Sequence, residues 1–228
     1  MNELAGKTVL ITGASRGIGE VTAYEFAKAG CKLALTYLSK PEEAKLVEDK
    51  CRQLGAPKVM FYQLDVTNDD QIHEFVKNTK TDFGSIDVLV NNAGILIWKF
   101  FSDMSFDEID QQVAVNVTGL MKLTNALLPQ IQETIINIGS QAGKRAGAEH
   151  VAYCATKFAV RGFTQGLAQE LPSLKIYAVN PDGINTQMND WGGRPPEQVA
   201  KVIVKAASGG YDLMSGSDID VWEIADEN

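Results

Sequence analysis

Apolar positions along the chain alternate between two spacings. Short, nearly continuous apolar runs at 7–12 (KTVLIT), 32–37 (KLALTY), 59–64 (VMFYQL), 88–90 (VLV), 134–138 (TIINI), 175–179 (KIYAV) and 219–222 (IDVW) predict strands. Between them, apolar residues recur at helical spacing over 18–29, 42–54, 69–83, 106–128, 151–171 and 197–207. Because most of the strand runs are apolar throughout, each strand is expected to be covered on both faces. Strand and helix alternate from end to end, and each parallel crossover needs about a helix of chain. The expected fold is therefore α/β, a doubly wound, mostly parallel, seven-stranded sheet with helices on both faces. There is no Ser/Gly-rich or Pro-rich tract, charge block or internal repeat to mark a linker, so residues 1–228 read as one domain.

Composition narrows the partners. A content of 45% hydrophobic and 22% charged residues is that of a globular domain. The 21 basic and 29 acidic side chains give a formal charge of −8, which argues against nucleic acid as a partner. The first residues lack a basic segment followed by a long apolar one, and no apolar run approaches the roughly 20 residues that span a bilayer. A cytoplasmic location away from membranes is expected. Cys31, Cys51 and Cys154 are scattered, with neither Cys-x-x-Cys spacing nor a nearby histidine partner, so no disulfide framework or metal site is expected.

In doubly wound sheets ligands bind beyond the carboxyl ends of the strands. The first strand is followed by TGASRGIGE, with Gly13, Gly17 and Gly19 spaced to make a tight turn, admit a pyrophosphate and start a helix whose free N–H groups face the phosphate. The second strand ends in TYLSK, with Tyr37 and Ser39 but no carboxylate to hold a ribose 2′-hydroxyl. Arg16, Ser39 and Lys40 would instead favour a 2′-phosphate, and so NADP over NAD. Asp65 and Val66 suit either adenine contact or the start of a helix capped by Thr67 or Asn68. Asn92, Ala93 and Gly94, in NNAG, are small enough to let a cofactor lie on the chain. Asn116, a polar residue in an apolar helical stripe, is by itself more readily a structural hydrogen-bonding group than part of a proton path.

Two Tyr-x-x-x-Lys pairs occur, Tyr24 with Lys28 and Tyr153 with Lys157. Either would place an ammonium beside a phenol on one helix face. Tyr153 is favoured because it follows Ser140, at the carboxyl end of the fifth strand, whereas Tyr24 has no such neighbour. A phenol of ordinary pKa needs a downward shift of roughly 2 to 3 units to act near neutral pH. An ammonium at about 5 Å in an effective dielectric near 20 contributes roughly 3 kcal/mol, so Lys157 is expected to lower the Tyr153 pKa.

Taken in order, TGASRGIG, Asp65-Val66, NNAG, Asn116, Ser140, YCATK and NPDGINT resemble the short-chain dehydrogenase/reductase superfamily, in the branch with a single Rossmann-like domain. The resemblance spans about residues 6–224. It implies an NAD(P)-dependent oxidoreductase acting on a small-molecule alcohol or carbonyl, usually a homodimer or homotetramer built through the helices starting near Phe106 and Val151. It also implies roles for individual residues. Tyr153 exchanges the proton, Ser140 holds the substrate oxygen, Lys157 tunes the phenol and holds the nicotinamide ribose, and Asn116 keeps a water in a relay to Lys157. Ser15, Arg16, Gly17, Ile18 and Gly19 of the turn, with Pro181 and Gly183, would hold cofactor, and Thr186 with the backbone of Ile184 would grip the carboxamide.

Two features depart from the pattern. Asp182 stands where the family has glycine, and only QMNDWGGRP separates Thr186 from the next helix, so the site should be open or closed by Met188 and Trp191 alone. Substrate loops are expected at about 95–104, 141–150 and 183–196. The aromatics of ILIWKFFSDM and Trp191 suit an apolar pocket for a ketone, aldehyde or keto ester, or else core or subunit contacts. Lys144 and Arg145 suit an acidic substrate or a solvated loop. The leading reading is an NADP-dependent carbonyl reductase or alcohol dehydrogenase. The alternative is a dinucleotide-binding regulator or sensor on the same fold, without turnover.

Overall fold

The computed structural model describes residues 3–189 and 192–224. Seven strands, β1 (Thr8–Ile11), β2 (Lys32–Tyr37), β3 (Val59–Gln63), β4 (Ile86–Asn91), β5 (Ile131–Ile138), β6 (Lys175–Asn180) and β7 (Asp218–Asp220), form one sheet in the order β3-β2-β1-β4-β5-β6-β7. All the pairings are parallel. Side chains alternate through the sheet: Val9 and Ile11 enter one apolar layer and Leu10 the other. On the first face, α1 (Gly17–Lys28) packs against α2 (Pro41–Gln53) and α7 (Pro196–Ala207). On the second, α3 (Asp69–Phe83) lies against α5 (Leu120–Leu127), and α4 (Phe106–Val113) against α6 (Val151–Glu170). Chain order reverses between β1 and β4, which opens a crevice above their carboxyl ends.

Several elements differ from expectation, each for a local reason. β4 begins at Ile86 rather than Val88, since the Asp87 carboxylate accepts a hydrogen bond from the Thr8 backbone N–H (2.7 Å) and so joins a polar residue to the sheet. β5 likewise begins at Ile131, paired with Ile86. β7 ends at Asp220, and Val221–Ile224 is one helical turn, α8, rather than the end of a strand. The run expected as one helix over 106–128 is α4 and α5 joined by a π-helical segment, Ala114–Gly119. Gly119 lies so close to the third crossover that a Cβ there would stand 2.6 Å from the Val66 carbonyl oxygen. Asn116 sits in the middle of this wide turn, a type of distortion that recurs at functional sites.

Cys31, Cys51 and Cys154 are free and buried, and among the described residues no His/Cys/Asp/Glu group could hold a metal. Among the same residues no helix is long and apolar enough to cross a membrane.

Candidate active site

The glycine-rich turn is built to bring backbone close to a ligand. Gly13 and Gly17 hold φ of 63° and 60°, conformations that other residues rarely adopt. A Cβ on Gly19 would stand 2.4 Å from the Gly13 carbonyl oxygen and 2.6 Å from Asn92 Nδ2. Asn92 fixes the turn, donating from Nδ2 to the carbonyls of Thr12 (2.8 Å) and Gly13 (3.0 Å). Thr12 Oγ1 accepts from the N–H groups of Asn92 and Ala93, and Thr36 Oγ1 accepts from Gly13 N–H. No side chain caps the start of α1, so its first N–H groups are left for an anion. Ser15 and Ile18 are partly buried on this turn and Arg16 is exposed, held by Gln187 Oε1 at 2.9 Å. Tyr37 packs edge-on against Phe61, Ser39 is exposed, and Lys40 is paired with Glu43.

Asp65 turns out to organise a helix start. Its Oδ1 accepts from Thr67 N–H (2.9 Å) and Oγ1 (2.7 Å), and Asn68 caps α3 by accepting from Gln71 N–H. Val66 lines a small cavity with Thr12, Asn91 and Ala93.

Ser140, Tyr153, Lys157 and Asn116 converge above β4, β5 and the first turns of α6. Ser140 Oγ accepts from Ala142 N–H at 3.1 Å, and the Ser140 side chain acts to lower the Tyr153 phenol pKa. Lys157 is 6% exposed, donates to the Ile138 carbonyl (2.7 Å), and holds its Nζ 5.5 Å from the Tyr153 ring centre. Asn116 clamps the loop after β4: its Oδ1 accepts from Ile95 N–H, while Nδ2 donates to the Ile95 carbonyl and to Thr156 Oγ1. A Cβ on Gly94 would stand 3.2 Å from Asn116 Oδ1 and 3.9 Å from Lys157 Nζ, so glycine keeps a cleft open between them. The uncapped helix start, the bare turn and this cleft together fit a dinucleotide.

The electrostatics correct one expectation. Burial pushes the Tyr153 phenol up to about 12, and the Ser140 side chain acts downward without reversing it. Burial also brings Lys157 down to about 8. The phenol's own desolvation, and not the charge of Lys157, sets the direction of its shift. The phenol therefore keeps its proton at neutral pH.

The loop after β6 is tied down at both ends. Asp182 accepts from Arg194 Nε (2.7 Å), and backbone bonds from Arg194 N–H to the Gly183 carbonyl and from Asn185 N–H to the Arg194 carbonyl close a short bridge. The carboxylate that replaces the family glycine is thus a tie across the loop. Gly183 is exposed, Ile184 is buried, and Pro181 accepts from Gln141 N–H. Thr186 reaches back to the glycine turn, its Cγ2 lying 3.5 Å from where a Cβ on Gly17 would stand. Met188 is exposed, and Trp191 lies outside the described residues. Lys144 is not available to a substrate acid, being paired with Asp220, whereas Arg145 is exposed. Phe100 and Phe101 are surface residues, and Trp98 is half exposed.

The short chain dehydrogenase family profile matches residues 7–193. The chain belongs to this family. The short-chain dehydrogenase is 34% identical over 216 residues to rat 17-beta-hydroxysteroid dehydrogenase 13, covering 88% of this chain and 71% of that one. It is also 34% identical over 198 residues to an uncharacterised oxidoreductase of Staphylococcus saprophyticus, covering 83% and 79%. Its fold matches a short-chain dehydrogenase/reductase of Serratia marcescens with a TM-score of 0.90 at 26% identity, covering 96% and 97%. It is an oxidoreductase of a family that binds NAD(P) and acts on small molecules.

Within this short-chain dehydrogenase the second Tyr/Lys pair is accounted for by packing. Tyr24 donates to Glu20 (2.8 Å), Lys28 pairs with Glu25, and burial together with Glu20 pushes the phenol well above its ordinary range. Tyr24→Phe is expected to leave kcat within about twofold of wild type, since it removes one part-buried hydrogen bond to Glu20 within α1. Steady-state assays of a folded variant check this, and loss of chemistry would show that the wrong pair was chosen.

Sequence reasoning missed the supports. Asn91 bonds Asn137 and Thr124, and Asn137 bonds Thr164, a buried polar ladder that ties β4, β5, α5 and α6 together beneath the site. The polar letters inside apolar strand runs were its only signal. His150, three positions before Tyr153, was also missed.

Proposed function

We propose that this enzyme reduces a carbonyl compound to an alcohol with NADPH, or runs the reverse reaction. The observation that carries the reading is the buried Tyr153 phenol, under the influence of Ser140 and flanked by a buried Lys157 at the carboxyl edge of the sheet. A reduced nicotinamide supplies the hydride that the carbonyl carbon takes up. Tyr153 gives its proton to the carbonyl oxygen, so that C=O becomes H–C–O–H and the phenol is left as phenolate. Ser140 Oγ holds that oxygen while negative charge develops on it. Lys157 keeps two N–H donors beyond the one given to Ile138 and offers them to the ribose hydroxyls. Asn116 Oδ1, with one lone pair engaged by Ile95, offers the other to a water that returns a proton toward Lys157.

Cofactor contacts are assigned to Gly13, Ser15, Arg16, Gly17, Ile18 and Gly19 around the phosphates, to Tyr37, Ser39, Asp65 and Val66 around the adenosine, and to Asn92, Ala93, Gly94, Pro181, Gly183, Ile184 and Thr186 toward the nicotinamide. Preference for NADPH rests on the exposed Arg16 and Ser39 beside a β2 end without a carboxylate. Lys40 contributes less, because its charge is shared with Glu43. Arg16→Ala is expected to weaken NADPH binding about tenfold and to leave NADH nearly unchanged, the loss of one charge-assisted phosphate contact. Nicotinamide fluorescence titrations of both cofactors, followed by a carbonyl panel, test the reading. Tighter NADH binding removes the NADP assignment, and binding without oxidation across the panel moves the protein to a regulator. Asp182, the feature that kept the regulator open, is neutralised by Arg194.

Subunit contact through α4, α5 and α6 is supported by the exposed apolar side chains Phe106, Val113, Met121, Val151 and Phe158. The hydroxysteroid dehydrogenase among the relatives supports an alcohol or ketone as substrate.

A further inference from the structure

Beside the proton donor stands an imidazole that the roles above leave unused. His150 precedes α6 at its N-cap position, yet its side chain makes no capping bond there. Its ring packs against the Trp98 indole instead, with centroids 4.5 Å apart and planes 58° apart, and lies 6.4 Å from the Tyr153 ring. Gly147 closes another edge, since a Cβ there would stand 2.8 Å from His150 Cε1.

The surrounding backbone is arranged to hold this pair. Glu149, immediately before His150, is the one non-glycine residue with positive φ (65°) among those described. A β-bearing residue in that region is held against its preference, and such strain gathers at ligand-contacting positions. The Glu149 carbonyl accepts from Lys99 N–H, next to Trp98, at 2.5 Å. On the other side of Trp98, Ile97 N–H donates to Gln112 Oε1, and the Lys99 ammonium is gripped by Glu108. The loops after β4 and β5 are thus joined to each other at the Trp98–His150 contact.

An apolar ring would fill this box equally well. The imidazole leaves its Nδ1 buried without a hydrogen-bond partner among the described residues, an arrangement that proteins seldom keep without a use. We propose that His150, supported by Trp98, determines substrate specificity by hydrogen-bonding a second acceptor on the substrate, so that dicarbonyl compounds such as β-keto esters are selected over simple ketones. The reacting carbonyl sits at Tyr153 and Ser140, and the second carbonyl extends along the Tyr153 ring toward Nδ1, which donates to it in the Nδ1–H tautomer. Trp98, half exposed on an irregular loop, turns to admit it. This inference rests on the carbonyl-reductase reading above.

The test compares ethyl acetoacetate with heptan-2-one, of equal chain length but lacking the ester, as substrates with NADPH. His150→Phe keeps a ring against Trp98 and removes the nitrogens. It is expected to lower kcat/KM for the keto ester about tenfold, mainly through KM, with heptan-2-one changed by no more than about twofold, as for a site built to bond a polar group. His150→Asn, which restores a donor, is expected to recover part of the loss. Equal loss on both substrates, or no loss on either, overturns the proposal. If wild type oxidises NADPH with heptan-2-one but not with the keto ester, this inference fails while the reductase reading stands. If it oxidises NADPH with neither substrate nor with any member of a broad panel, both fall.

Discussion

Tyr153→Phe is expected to lower kcat by about a thousandfold or more, within the range by which a positioned proton donor accelerates such a step, while NADPH affinity stays within about threefold of wild type. The side chain is 9% exposed and packed, and phenylalanine preserves that packing. Ser140 Oγ keeps its bond from Ala142 N–H, so the substitution removes one hydroxyl and leaves its neighbour partnered. With its pKa pushed up to about 12, the phenol is protonated throughout the neutral range, which is the form that reduction requires. Reduction by wild type should therefore show no loss from phenol ionisation between pH 6 and 9. Stopped-flow oxidation of NADPH by wild type and variant measures both effects. Undiminished turnover in the variant removes Tyr153 from the chemistry.

Most of the fold was legible because a sheet covered on both faces leaves a strong record, continuous apolar strand runs separated by helical ones. The record fades where polar side chains belong to the sheet. Asp87 extends β4 by bonding Thr8, and Asp218 and Asp220 serve β7 by accepting from Asn180 rather than by packing. No apolar pattern reports such bonds. At α4 and α5 the apolar stripe runs unbroken through a π-helical turn, since one widened turn shifts the phase too little to see in sequence. Motif spacing placed Ser140, Tyr153 and Lys157 together but not their electrostatics. The sign of the Tyr153 shift depends on how deeply the phenol itself is buried, which is a property of the packed molecule. Lys144 was open to two readings for the same reason: its carboxylate partner, Asp220, lies far along the chain and beside it in the fold.

Lys157→Met is expected to move activity and stability in opposite directions. Losing the ammonium removes the ribose contact and the charge beside the phenol, and kcat/KM for carbonyl reduction should fall by about a hundredfold or more. Stability responds to a different feature of the same residue. Burial brings Lys157 down to about 8 from an ordinary 10.5, which corresponds to about 3 kcal/mol of desolvation borne by the folded state when the lysine is charged. Because the folded pKa is the lower one, the unfolded chain binds the extra proton between about pH 8 and 10.5, and the wild type gains stability as pH rises through that window. Methionine has no such dependence, but it leaves the Ile138 carbonyl without its donor, at a cost of about 1 to 3 kcal/mol. The two contributions nearly offset near pH 7, where the variant should be as stable as wild type or more stable by up to about 2 kcal/mol. At pH 10.5 the desolvation penalty is mostly gone and the lost hydrogen bond remains, so the variant should be the less stable protein. Urea unfolding of both proteins at the two pH values cancels every other titration in the difference. A difference that does not change with pH would show that Lys157 is not the buried, proton-shedding lysine the structure makes it.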